Sequence, residues 1–256
     1  MTMKVLVCIK RVPAVAGRIT LTADEKAIDS RYLGFTIGPH EECAVEEAVR
    51  LIEANEGESV ALTLGPPEAI EQLRDAMATG ISRAIHLVTD GGDWDAEATA
   101  AAMLEAIRED EAASGAFDLI LMGNEAADAG GYQVAVRVGY ALQRPVLTGL
   151  KGLTVSGGSL RGEQAVSGGR DVYDVPLPAV AAVLEGINLP RYPSVPGRLR
   201  AKSKPVTSST PARPAERLEL VRLIVPQGAS KEVTMLGEGA AAAAATVDLF
   251  QKIGVV

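Results

Sequence analysis

The chain has 256 residues, 47% of them hydrophobic and 23% charged, the balance of a folded globular protein and not of a disordered one. A formal net charge of −8 and an aromatic content of 4% argue against a phosphate-reading face or a base-stacking platform, so no nucleic-acid role is expected. Cys8 and Cys43 make no disulfide framework, no apolar run reaches the ~20 residues of a membrane span, and the N-terminus lacks a signal-peptide layout, so a cytoplasmic protein without membrane insertion is expected.

Lys4–Lys10 is a nearly continuous apolar run, the pattern of a strand covered on both faces. Ile19-Thr20-Leu21 alternates and suggests an edge strand. Across 40–54, Val45, Ala48, Val49 and Ile52 recur at helical spacing, which predicts a helix with Glu46 and Glu47 on its solvated face. Ser59–Leu64 reads as a buried strand, and 67–78 as a helix with Ile70, Leu73 and Met77 on one side. Ala84–Val88 predicts a third strand with His86 packed inside it, and 95–109 a third helix. Asp118–Met122 and 131–142 give a fourth strand and helix. This alternation predicts an α/β fold, a doubly wound, mostly parallel, Rossmann-like sheet over residues 1–180.

After residue 145 the pattern changes. Short β segments at 150–155 and 160–166 meet at Ser156-Gly157-Gly158, and 177–184 reads as a further strand. Nine of the fourteen prolines lie between Pro176 and Pro226. Residues 191–222 carry eight Lys or Arg against two Asp or Glu, a local +6 that leaves −14 for the rest. The region 181–256 is therefore expected to be largely extended, an arm that meets a partner, with one last short helix within 240–253.

Ligands of doubly wound folds bind beyond the carboxyl ends of the strands, here 8–12, 64–66, 89–93 and 123–133. The last is richest. Glycines from Gly123 to Gly131 permit close backbone approach, a following helix N-terminus favours a phosphate, and Asn124, Asp128 and Gln133 offer hydrogen bonds. It is neither a GxGxxG fingerprint nor a P-loop, and a plain strand-to-helix connection would look the same. His40-Glu41-Glu42-Cys43 has metal-ligand residue types, but adjacent helical positions do not converge, so no metal is expected. No Gly-x-Ser-x-Gly elbow or Ser/His/Asp order is present. The residues point to a nucleotide-binding scaffold that carries electrons or a partner, without a catalytic residue of its own.

Several stretches resemble the β (small) subunit of electron-transfer flavoproteins. Val5–Pro13 is similar to the family's first strand and its following turn, Ala44–Leu51 to its first helix, and Leu64-Gly65-Pro66 to its second strand end. Gly123–Gln133 stands at the family's nucleotide loop. Most specific is the run Asn188–Gly197 with Ala201–Pro205, which resembles the signature Asn-Glu-Pro-Arg-Tyr-Pro-Ser-Leu-Pro and its Lys-rich continuation. The chain departs from the pattern at Gly38, where a polar residue is common, at Val134 for a hydroxyl residue, at Leu189 for glutamate and at Val195 for leucine.

The resemblance implies an electron carrier paired with an α subunit that supplies most of the FAD site, with a structural AMP in this chain. Electrons would come from flavin dehydrogenases of the acyl-CoA dehydrogenase type, as in fatty acid β-oxidation. They would leave to the membrane electron-transfer flavoprotein:quinone oxidoreductase. It implies nucleotide contacts at Cys8, Gly38, Pro39, His40, Glu41, Leu64, Gly123, Asn124, Ala126, Asp128, Gly130, Gly131, Tyr132, Gln133 and Val134, with the phosphate on amides around 130–133. Partner contacts are implied at Arg191, Tyr192, Val195, Arg198, Arg200 and Lys202. A bifurcating, NADH-oxidising relative with a second FAD in the same site is the first alternative. A non-redox nucleotide-binding regulatory domain is the second, and the basic, proline-rich tail argues against it.

Overall fold

The computed structural model describes residues 2–14, 19–215, 219–225 and 233–255. The first apolar run becomes β1 (Met3–Cys8), followed by the short strands β2 (Arg11–Pro13) and β3 (Phe35–Ile37). Then come α1 (Pro39–Asn55), β4 (Gly57–Gly65), α2 (Ile70–Thr79), β5 (Arg83–Val88), α3 (Ala96–Ser114), β6 (Leu119–Gly123) and α4 (Val134–Ala141). The second half adds β7 (Val146–Ser156), β8 (Ser159–Val166), β9 (Gly169–Pro176), β10 (Ala179–Val183), α5 (Val195–Ala201), β11 (Val206–Ser209) and α6 (Ala243–Lys252).

Among the described residues, nine strands share one sheet in the order β11-β5-β4-β1-β6-β10-β7-β8-β9. Pairing is parallel from β11 through β7, and antiparallel where β7, β8 and β9 meander at the end. The doubly wound α/β expectation holds. Side chains alternate across the pleat, so Val5 and Val7 enter one core while Leu6 and Cys8 enter the other. On the first face Val45, Ala48 and Val49 of α1 and Leu73 and Met77 of α2 cover the sheet. On the second, Met103, Ala106 and Ile107 of α3 and Val138 of α4 do so. Burial on both faces is why β1 and β6 read as unbroken apolar runs. Gly139 lets α4 approach closely, since a Cβ there would lie 2.1 Å from Val146 Cγ2.

Three features differ from the sequence reading. Residue 180 lies inside β10, and the larger compact unit, residues 1–18 with 29–221, continues past it. The stretch expected to be irregular instead folds α5 onto α2 and lays β11 beside β5 at the sheet edge. Ile19–Leu21 forms no edge strand, only a single bridge from Leu21 to Ile28. That bridge belongs to a smaller unit, residues 19–28 with 222–256, in which the Leu223 amide donates to the Glu25 carbonyl at 2.7 Å. No residue of α6, in the same unit, is buried. Among the described residues, no helix is long and apolar enough to cross a membrane.

Candidate functional site

The sheet is wound outward from β1 through β4 to β5, and the chain then returns to the other side of β1 to lay β6. That reversal sets the connections after β1 and β6 side by side, which opens a crevice at the carboxyl edge. Cys8 pairs in register with Met122, one residue before Gly123, and Leu64 stands one residue before the end of β4, the neighbour of β1 on its other side. Cys8 is buried, which pushes its thiol up to about 12 and leaves no thiolate for chemistry. Lys10 reaches across the crevice, with Nζ 2.7 Å from the Asp128 carboxylate and 3.8 Å from that of Asp93.

The N-terminus of α1 stands over the same edge. Gly38 caps it without a capping side chain, Pro39 opens the first turn, and the Glu41 side chain folds back over both. A Cβ on Gly38 would lie 2.2 Å from Glu41 Oε2, and one on Gly123 would lie 3.0 Å from Cγ and Cδ of Glu41 and from Cβ of His40. The two glycines thus make room for one carboxyl. Glu41 is only 5% exposed, and its Oε2 meets no hydrogen-bond donor. Burial pushes it up to about 7, and Asp128 and Glu42 push the same way against its own amide and Lys10. His40 Nδ1 is also buried and unpartnered, while Nε2 faces Glu125 at 3.7 Å.

The loop after β6 closes on itself. Ala126 and Gly130 exchange backbone hydrogen bonds of 2.6 and 2.9 Å, and Gly130 and Gly131 take φ of +73° and +63°, which glycine adopts freely. The Gly131 amide donates to Ala129 and that of Val134 to Gly131, so the amides of four expected contact residues, Ala126, Gly130, Gly131 and Val134, are already engaged. The amides of Tyr132 and Gln133, at the N-terminus of α4, remain for a ligand. Two expected side chains are directed elsewhere. Asn124 Oδ1 accepts from the Gly149 amide at 2.8 Å, and Gln133 Oε1 accepts from Arg137 at 3.0 Å. The Tyr132 ring is exposed, with its hydroxyl toward Glu125. Sequence reasoning missed Lys10 and Glu125 as site residues. The signal for Lys10 was its place just past the carboxyl end of the first apolar strand.

The partner-facing segment lies further along α1. Glu46, expected on a solvated face, is instead 3% exposed. It accepts from the Arg191 amide at 3.1 Å, from Arg191 Nε at 2.9 Å and from Arg50 Nε at 2.7 Å. Burial works against its ionisation, but these donors outweigh it and hold the carboxyl below its ordinary value. Glu47, read the same way, accepts from Asn188 Nδ2 at 3.0 Å. Arg191 is further gripped by Glu53 at 2.6 Å, and Arg198 by Asp75 at 3.1 Å. In α5, Gly197 packs so tightly on α2 that a Cβ would lie 2.4 Å from the Ala78 carbonyl oxygen. Tyr192 and Val195 stand out from this anchored frame, at 97% and 73% exposure, and Arg200 and Lys202 are also exposed. A groove of about 430 Å³, separate from the strand-end crevice, runs between α1, α2 and Leu189–Pro193. Among the described residues no three His, Cys, Asp or Glu converge as a metal site.

Comparison with known proteins bears on both features. The electron transfer flavoprotein domain matches residues 27–214. The chain is 34% identical over 227 residues to electron transfer flavoprotein subunit beta of Syntrophomonas wolfei subsp. wolfei, spanning 88% of this chain and 87% of that protein. It is 36% identical over 172 residues to the Bacillus subtilis (strain 168) subunit beta, 66% of this chain and 65% of that one. To the subunit beta of Mycobacterium tuberculosis (strain ATCC 25618 / H37Rv) it is 34% identical over 212 residues, 80% and 78% of the two chains. The matched region contains the crevice loop and the Arg191 anchor together, and on this similarity the chain belongs to the electron transfer flavoprotein β-subunit family.

Proposed function

We propose that this chain is the β subunit of a heterodimeric electron-transfer flavoprotein and holds an adenine nucleotide, AMP, as a structural group in the strand-end crevice. The observation that carries the nucleotide reading is the set of unsatisfied groups there. His40 Nδ1 and Glu41 Oε2 are buried without partners, and Tyr132 and Gln133 lead into the N-terminus of α4. Gly123 and Gly38 keep the backbone approachable, and Lys10 supplies a cation. These donors and acceptors suit a nucleotide. The crevice pairs no nucleophile with a base, which suits a group held for structure.

FAD would be held mainly by the α subunit, and when bound it supplies the storage and release of electrons. This chain's part is to bind and orient. Residues 181–256 would act as the partner-recognition segment and the arm that contacts the α subunit. In that segment Arg191, Glu46 and Glu53 fix a frame from which Val195 and Tyr192 project toward a flavin dehydrogenase. Arg200 and Lys202 would speed encounter with an acidic partner. Electrons would pass on to a membrane quinone oxidoreductase. The test is to isolate the chain after co-expression with its α subunit and identify the released nucleotide by mass spectrometry. AMP at one per chain is expected beside one FAD per heterodimer. Two FAD and no AMP would favour the bifurcating alternative, and no nucleotide at all would refute the crevice assignment.

A further inference from the structure

The larger unit buries two glutamates almost equally, and they are treated very differently. Glu46, at 3% exposure, accepts from two arginines. Glu41, at 5%, has no cation within hydrogen-bonding distance, and its Oε2 has no donor. Lys10, the cation that influences it, is held 2.7 Å from Asp128. An unpaired buried acid costs stability and contributes nothing to packing that a glutamine would not supply. Its position suggests the reason it is there. The carboxyl fills the space between Gly38 and Gly123, at the edge of the crevice.

We propose that Glu41 sets the charge that the crevice accepts: protonated, it leaves the crevice open to the anionic nucleotide, and ionised, it repels it. This rests on the nucleotide reading given above. The groups that face Glu41 are Lys10 from the β1–β2 connection, Asp128 from the β6–α4 loop, and His40 and Glu42 on its own helix. Asp128 and Glu42 oppose its charge, so ionising Glu41 adds to a negative edge that Lys10 offsets. Burial places its titration at about 7, inside the range where a cell's pH varies.

The experiment is equilibrium dialysis of radiolabelled AMP against the full-length chain between pH 7.0 and 8.5. The phosphate monoester, with a second pKa of about 6, is already dianionic there and adds little slope of its own. Wild-type affinity is expected to fall about fifteenfold over this span, as linkage to one proton requires. Glu41→Gln is expected to hold its affinity within about twofold throughout. A flat wild-type profile overturns the proposal without needing any variant. So does affinity that rises with pH, which would make the carboxylate an acceptor for the ribose hydroxyls. A slope that persists in Glu41→Gln and disappears in His40→Gln moves the effect to the imidazole and also overturns it. AMP binding at no pH, in either protein, refutes the nucleotide reading itself.

Discussion

The anchor formed by Glu46 and Arg191 makes a quantitative test of how the partner-facing segment is held. Arg191 donates to Glu46 from its amide, Nε and Nη2 at 2.9–3.1 Å, and grips Glu53 with two further bonds of 2.6 and 2.9 Å. The Glu46 side chain is 4% exposed and that of Arg191 36%, so the two partners are not equivalent. Arg191→Ala leaves a buried carboxylate whose remaining cation, Arg50, is half exposed. Discounted for the solvent that reaches the guanidinium, the loss should be about 2–3 kcal/mol. Glu46→Ala leaves Arg191 still paired with Glu53 at the surface and should cost only about 1–2 kcal/mol. For a domain of this size, that corresponds to about 4–12 °C and about 2–8 °C in Tm. Urea unfolding of the two single variants and the double variant gives the coupling energy directly, expected at about 1–2 kcal/mol. A Glu46→Ala loss as large as that of Arg191→Ala, or a coupling under about 0.5 kcal/mol, would refute the idea that a buried acid pins the segment.

Val195→Ala is expected to slow electron uptake from the cognate dehydrogenase in stopped-flow measurements while leaving flavin content and Tm unchanged, because the side chain is 73% exposed. Loss of flavin or of the partner subunit would make Val195 structural. Glu41, whose folded value is raised from 4.5 to about 7, binds a proton that the unfolded chain has already released between those values. Stability of the nucleotide-free chain should therefore fall as pH rises through that window, and Glu41→Gln should cancel about 2–3 kcal/mol of the loss between pH 5 and pH 8. Asp110 shows the opposite sign. Burial opposes its charge, but hydrogen bonds from Arg83 and Lys4 prevail and hold it at about 2. Its contribution is present above pH 4 and lost as pH falls through 2, so Asp110→Asn should unfold at lower urea at pH 6 yet match wild type near pH 2.

How much of this was legible in the residues follows from where the deciding partners sit. β1, β4, β5 and β6 each carry a mostly apolar run, the pattern of strands sealed on both faces, so four strands and their helices could be read directly. Their order placed the 123–133 loop at a ligand edge. β2, β9 and β11 carry no such signal. The first six of the eight residues of β9 are exposed in an unbroken run, and it is a strand because β8 pairs with it. Glu46 read as solvated because it falls off the apolar stripe of its helix, whereas the arginine that covers it lies 145 residues away. The same holds for the crevice. The sequence reading named Glu41 and Asp128 as nucleotide contacts and passed over Lys10, and the winding of β1 against β6 made Lys10 and Asp128 an ion pair and left Glu41 buried. Local sequence determined which segments could be strands and helices, since periodicity is local. Charge state and partnership depend on distances between segments far apart in the chain, and those were decided only when the sheet closed around β1.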